Sequence, residues 1–251
     1  MSGKIPMLKA EKVTRKFGEL VAVNEVSLEI PKGEIHALIG SNGAGKTTFM
    51  DTVVHRVMPT SGKIWFDGED ITGISPELLP RKGMCKCFQI TKLFMKLTVF
   101  ENVRIALISR RGSTYDFFPK KQDWLREEVA QILENVGILH LIDQTVAFLS
   151  YGDQRRVEVA TTLAMNPKFL MLDEPTAGVA RAEGYAIMDM VYKLAKEEGL
   201  TVLYIEHDMD IVFNYADHIS VMHNGVKLAT DIPSEIRQND FVKNAYLGGL
   251  E

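Results

Sequence analysis

The sequence predicts an α/β fold: a mostly parallel sheet core, an N-terminal antiparallel β subdomain and an inserted α-helical subdomain. Three features point there. The N-terminal third is cut into strands by turns, the stretch from about Gln89 to Ala164 places apolar residues at helical spacing, and the remainder alternates short apolar runs with amphipathic segments. Strand–helix alternation implies parallel strands with helices on both faces. The expected organisation is a single domain over 1–251, with 1–88 and 166–251 forming the sheet core and 89–165 the helical insertion.

Each element has a local reason. "MLKAEKVTRKF", "VAVNEVSLEI", "EIHALIG" and "KIWFDG" read as strands, separated by breaks at Gly18, Pro31-Lys32-Gly33 and Ser61-Gly62. Phe49, Met50, Val53, Val54 and Val57 recur at helical spacing, predicting a helix along "KTTFMDTVVHRVM". "LTVFENVRIALISR" and "DWLREEVAQILENVGI" carry apolar residues three and four apart, as amphipathic helices do. "DQRRVEVATTLAM" reads as a further helix. Beyond it, "FLMLDEP", "TVLYIEH" and "HISVMHNGVKLAT" read as strands, with helices over Arg181–Glu197 and Met209–Tyr215 between them. Asn224-Gly225 is a two-residue hairpin signal.

The chain has 251 residues, 46% hydrophobic and 25% charged, with a formal net charge of −4. Its mildly acidic balance argues against a general nucleic-acid binder, although it leaves room for a local basic patch. Cys85 and Cys87 lie two apart in "MCKCFQI", with no further metal ligand at suitable spacing. They read as same-face residues of a short strand, in a reducing compartment. The opening residues lack the apolar core of a signal peptide, and no stretch approaches the roughly twenty apolar residues that cross a bilayer. The expectation is a soluble protein that reaches a membrane only through a partner.

"GSNGAGKTT", Gly40 to Thr48, fits G-x-x-x-x-G-K-[ST] in full, with a strand before it and a helix after it. Gly43 and Gly45 let the backbone turn so that the N–H groups of Ser41, Asn42, Ala44 and their neighbours face phosphate oxygens. The following helix, from Lys46 through Thr48, adds its positive end. Lys46 brings a mobile charge to the β- and γ-phosphates, and Thr47 a hydroxyl for Mg²⁺. Asp173 emerges at the carboxyl end of the apolar run "FLML", where ligands of open α/β sheets sit, and is placed to hold Mg²⁺ through water. Glu174 beside it is placed to polarise an attacking water. The motif predicts a P-loop ATPase core using ATP and Mg²⁺.

"LSYGDQ", Leu149 to Gln154, resembles the LSGGQ signature of ATP-binding cassette (ABC) ATPases, with Tyr151 and Asp153 as departures. "CFQITKLFMKLTVFENV" is similar to that family's glutamine loop, with Gln89 in place, and "YIEHDM" to its switch-histidine segment, with His207. "KVTRKFGELVAVNEVSLEIPKGE" is similar to its opening strands, where Phe17 matches the aromatic that stacks on adenine. The resemblance implies that Ser150, Gly152 and Gln154 face the γ-phosphate bound to a partner subunit. It also implies that Gln89 reports Mg²⁺ and water occupancy to the helical insertion, and that His207 bonds the γ-phosphate. "TAGVARAEG" departs from the family at Val179-Ala180-Arg181, where many relatives carry aspartate or asparagine, which puts in doubt a side-chain role for that loop in subunit coupling.

"FGELVAVNEVSLEI", "IEHDMDIVF", "ADHISVMHNGVKLATDIPSEI" and "VKNAYLGG" are similar to ATP-binding subunits of branched-chain amino-acid and related amide importers. The "AYLG" ending is shared with lipopolysaccharide-export ATPases, so an exporter is the nearer alternative and a soluble non-transport ABC ATPase the remoter one. The resemblance implies a dimer with an identical or paralogous cassette, integral-membrane permeases, a binding protein acting indirectly, and a peripheral position on the cytoplasmic face of the membrane. The loop Ser109 to Trp124 mixes basic and aromatic residues, and reads as a solvated interhelical loop or as a contact surface.

Overall fold

A computed structural model describes residues 5–87, 93–112 and 122–242. An antiparallel sheet holds β1 (Leu8–Phe17), β2 (Leu20–Ile30), β4 (Ser61–Phe66) and β5 (Glu69–Asp70) in the order β2-β1-β4-β5. A second sheet runs β10-β9-β3-β8-β7-β6, from β3 (Ile35–Gly40), β6 (Met84–Cys87), β7 (Phe169–Asp173), β8 (Thr201–Ile205), β9 (His218–His223) and β10 (Val226–Asp231). Its pairings are parallel except β9 with β10. That hairpin turns on Asn224 (φ 46°) and Gly225 (φ 80°), the pair of positive φ values a tight two-residue turn demands.

The helices are α1 (Lys46–Val53), α2 (Leu79–Lys82), α3 (Val99–Arg111), α4 (Gln122–Asn135), α5 (Tyr151–Leu163), α6 (Arg181–Glu198), α7 (Met209–Tyr215), α8 (Pro233–Gln238) and α9 (Asp240–Val242). Every residue of β3, β7 and β8 is buried, as parallel strands covered on both faces must be. Alternation then sorts their side chains into two cores. Ile35, Ala37, Ile39, Leu170, Leu172, Val202 and Tyr204 join one cluster with Val103, Leu107, Leu133 and Val157 of the inserted helices. Leu38, Met171, Leu203 and Ile205 point the other way, into a cluster with α1 and the antiparallel sheet. Truncating a fully buried member such as Leu107 to alanine costs about 2–5 kcal/mol.

Several element ends differ from expectation, three of them with a plain local cause. Helix α1 stops at Val53 rather than running through "HRVM". Thr52, Val53 and Val54 are consecutive β-branched residues with weak helix propensity. Beyond them His55 takes φ 55°, its Nδ1 2.9 Å from the Ile74 carbonyl oxygen. Helix α5 begins at Tyr151, two residues before the expected start, because Ser150 caps it. Helix α6 extends to Glu198, where Gly199 in the left-handed conformation ends it. At α3 a capping box matches the sequence closely: Thr98 Oγ1 accepts from Glu101 N–H at 3.2 Å, and Glu101 Oε2 accepts from Thr98 N–H at 2.8 Å. Among the described residues no helix is long and apolar enough to cross a membrane.

Candidate functional site

The loop after β3 closes at two glycines that nothing else could replace. A Cβ on Gly40 would stand 2.2 Å from the Met222 carbonyl oxygen, and one on Gly45 (φ 93°) 2.3 Å from that of Ala22. Gly45 is also the N-cap of α1 and supplies no side chain, so the first N–H groups of the helix are not consumed by a cap. They border a cavity of about 520 Å³ whose walls are Asn42 through Thr48, Glu174 and His207, with Leu20, Val21, Ala22 and the Asn224-Gly225 turn opposite. Asn42, Gly43, Ala44, Gly45, Lys46, Thr47 and Thr48 thus converge as their motif predicts.

Lys46 is buried, and its Nζ donates to the carbonyls of Gly40 at 2.7 Å and Ser41 at 3.1 Å. Ser41 therefore meets the site through its carbonyl and does not line the cavity. Burial pushes the Lys46 ammonium below the usual lysine range, while the Glu174 and Asp173 carboxylates pull it back. Glu174, directly after β7, lines the same cavity as the loop, so the strand end faces it.

Asp173 is buried at that strand end. Its Oδ2 accepts from Lys86 Nζ at 3.0 Å, and its Oδ1 is buried with no partner among the described residues. Glu174 takes φ 53°, a left-handed conformation that costs a non-glycine residue about 1–2 kcal/mol. Backbone bonds hold it there: its N–H donates to Ile205 O at 3.0 Å and its carbonyl accepts from Ala177 N–H at 3.1 Å. The turn aims the side chain at His207, whose Nε2 is 3.1 Å from Glu174 Oε1. Buried Glu206 braces the pair by accepting from Thr176 N–H at 2.9 Å, Thr176 hydroxyl at 2.6 Å and His207 N–H at 3.0 Å.

The signature residues stand elsewhere. None of Ser150, Gly152 and Gln154 lines the cavity. Ser150 Oγ accepts from Asp153 N–H at 3.1 Å and donates to Asp153 Oδ2 at 2.8 Å. Gly152 lies under the Glu183 carboxylate, so the turn packs on the first turn of α6. Gln154 Nε2 donates back to the Leu149 carbonyl at 3.1 Å. Tyr151, the departure from the common signature, lies on Gly178 and accepts from Arg155 Nη2 at 2.9 Å. Arg181, in the departing loop, pairs with Asp210. Phe17 is 44% exposed at the end of β1, with the Arg15 guanidinium 4.4 Å above its ring; the apolar cavity wall is made by Leu20 and Val21 instead. Gln89 lies outside the described residues.

Sequence reasoning gives no role of its own to Glu206 or to Lys86. An acid wedged between an apolar strand and a histidine was the available signal for Glu206. For Lys86 it was a lysine in the middle of a four-residue buried strand.

A P-loop, a strand-end Asp-Glu pair and a histidine facing the glutamate define a nucleoside-triphosphatase of the α/β class. The profile of the ABC transporter family matches residues 23–177, and the chain belongs to that family. It is 37% identical over 250 residues to the high-affinity branched-chain amino acid transport ATP-binding protein BraF of Pseudomonas aeruginosa, covering 97% of this chain and 98% of that one. It is 38% identical over 251 residues to LivG of Salmonella typhimurium, with the same coverage, and 35% identical to a probable LivG of Methanocaldococcus jannaschii, covering 97% and 95%. The ADP conformation of an ATP-binding cassette of an ABC transporter superposes with a TM-score of 0.87 at 33% identity, over 98% of this chain and 100% of that one. A dimeric post-hydrolysis cassette bound to ADP and Pi gives 0.75 at 27% identity, over 90% and 99%. The chain is thus an ATP-hydrolysing, ATP-binding subunit of an ABC transporter.

Proposed function

We propose that this subunit powers import of branched-chain amino acids or related small amides, as one of two cassettes bound to permeases at the cytoplasmic face of a membrane. The observation that carries the cargo is similarity along nearly the whole length to BraF and LivG, whose names state branched-chain amino acid transport. An exporter has no comparable support. Arg110 Nη2 donates to Glu128 Oε1 at 2.8 Å, and Arg111 also bonds Glu128, so these two arginines of the 109–124 segment, at the end of α3, are engaged internally, which supports a chain without a nucleic-acid partner.

ATP enters with its phosphates over the α1 N-terminus, and Lys46 exchanges its carbonyl partners for phosphate oxygens. Among the described residues no three acids, histidines or cysteines cluster as a metal cage. That fits Mg²⁺, which keeps several waters and arrives with phosphate oxygens, needing only one or two protein groups. Thr47 and Asp173 would hold it, Asp173 through the buried oxygen that has no partner among the described residues. Bound Mg²⁺ supplies charge neutralisation at the β- and γ-phosphates. Glu174 accepts a hydrogen bond from the attacking water and takes up its proton, while His207 orients Glu174 and meets the γ-phosphate. Gln89 is assigned to Mg²⁺ and water contact, and Phe17 to adenine stacking, by family resemblance.

The cavity holds only one half of a hydrolytic site. Ser150, Gly152 and Gln154, presented elsewhere, serve the nucleotide of a second cassette, so two chains close over two ATP molecules. A groove of about 530 Å³ lined by Leu79, Pro80, Met84, Phe94, Ile105 and Met165 is the proposed seat of a short apolar permease segment. A transporter subunit with no membrane-crossing helix among its described residues needs such a seat, and Lys86 and Leu93, which flank Gln89 in sequence, both line it.

The test is uptake of labelled leucine, isoleucine, valine and small amides by cells with and without this subunit, together with copurification of permeases. Loss of uptake on deletion is expected. Undiminished uptake of all of them would refute the cargo.

A further inference from the structure

Lys86 lies on β6 between the two cysteines, with a side chain 4% exposed. Its Nζ is 3.0 Å from Asp51 Oδ1 on α1 and 3.0 Å from Asp173 Oδ2 at the end of β7. The Asp173 side chain is 2% exposed and that of Asp51 18%. Three elements therefore meet at one buried ammonium: the helix that carries the phosphate loop, the strand that ends in the metal carboxylate, and the strand that leads to Gln89.

Desolvating such a group costs several kcal/mol per ion, and buried ion pairs are often replaceable by apolar side chains without loss of stability. Packing gives no reason for the charge. Met84, two residues earlier on the same face by strand alternation, is simply part of the apolar core shared with α1. What the charge does is select one orientation of Asp173. With Oδ2 fixed on Lys86, Oδ1 remains buried and without a donor among the described residues. A carboxylate free to rotate would interchange the two oxygens.

We propose that Lys86 is a positioning residue for ATP hydrolysis: it pins Asp173 through Oδ2 and ties it to α1 through Asp51, so that Oδ1 is presented to a water on the nucleotide-bound metal. This rests on the reading of Asp173 as the Mg²⁺ carboxylate. Lys86 touches neither nucleotide nor metal, and acts only through the carboxylate it holds. Its loss should therefore register in turnover and spare nucleotide affinity, which the loop and Lys46 provide.

The experiment measures steady-state ATPase and thermal melting for the wild-type chain, Lys86→Met, Lys86→Arg and the double variant Lys86→Met/Asp51→Asn. Lys86→Met is expected to lower kcat by about 10- to 100-fold, the scale of a small misplacement at a reacting centre, with KM for Mg²⁺-ATP within about threefold. Lys86→Arg, which keeps a cation between the two acids, should recover kcat to within about threefold of wild type. The double variant removes the acid on α1 that loses Lys86 and keeps only Arg56 among the described residues, at 3.4 Å, so it should regain part of any lost melting temperature but not kcat. A purely structural staple predicts the opposite, with turnover returning as stability returns. Wild-type kcat in Lys86→Met, equal impairment in Lys86→Arg, or recovered kcat in the double variant would each overturn the proposal. An inactive wild-type chain would instead count against the ATPase reading itself.

Discussion

Glu174→Gln isolates basicity from shape. The backbone at this residue is held by its bonds to Ile205 and Ala177, neither of which involves the side chain, so the left-handed turn survives the substitution. An amide can still meet His207 Nε2 at the 3.1 Å seen for the carboxylate. What is lost is the acceptor that draws a proton from water, and positioned general bases contribute about 10²- to 10⁴-fold, or about 3–5 kcal/mol of barrier. Nucleotide affinity should move the other way. Glu174 and Asp173 are the two acids that act on Lys46, and the phosphates gather at the same ammonium. Removing a unit charge about 5 Å from a phosphate relieves at most about 3 kcal/mol at an effective dielectric of about 20. Phosphate release, fluorescent-nucleotide titration and size-exclusion chromatography with light scattering read the three consequences: slow turnover, retained or tighter ATP binding, and a longer-lived ATP dimer. Turnover within a few-fold of wild type would remove Glu174 from the role assigned to it.

Lys46→Ala deletes the charged donor of the cradle, worth about 2–3 kcal/mol, so the Kd for ATP should rise about 30- to 150-fold in the same titration; unchanged binding would argue against the cradle. Burial pushes both cysteine thiols up to about 12, so at pH 8 neither Cys85 nor Cys87 should react appreciably with a maleimide in the native chain, whereas both should label in denaturant. Rapid labelling of the native protein would show that the strand is not packed as described. Burial holds His36 and His55 below their ordinary value of 6.5. The unfolded chain then takes up protons first, so their contribution to stability is complete above 6.5 and shrinks as pH falls below it. Melting temperature measured from pH 7.5 to 5.5 should decline, and a His55→Gln variant should decline less; a flat profile would contradict the burial of these rings.

Local chemistry is what made the site legible. The loop from Gly40 to Thr48 announces its own geometry, because left-handed glycines, a helix start and a lysine are all set within nine consecutive residues. The capping box at Thr98 and the Asn224-Gly225 hairpin are readable for the same reason. Strand order is not local: β3 lies between β8 and β9, a placement decided by how buried faces pack rather than by anything near residue 35. Lys86 escaped for a related reason. Attention to Cys85 and Cys87 treats "MCKC" as one apolar face, whereas the residue between them looks to the other side, toward partners 35 and 87 positions away. Residue spacing shows that Lys86 is on the opposite face; only tertiary structure shows two acids waiting there. The end of α1 was misjudged because apolar periodicity continues past Val53 while helix propensity does not.

The grip of Lys46 on the Gly40 and Ser41 carbonyls makes the resting loop its own competitor. An incoming anion must win the ammonium away from two neutral acceptors that are already in place, so these internal bonds are subtracted from the affinity the site shows. A chain of phosphates reaches the ammonium and the helix amides together, so the exchange trades two neutral acceptors for charged ones.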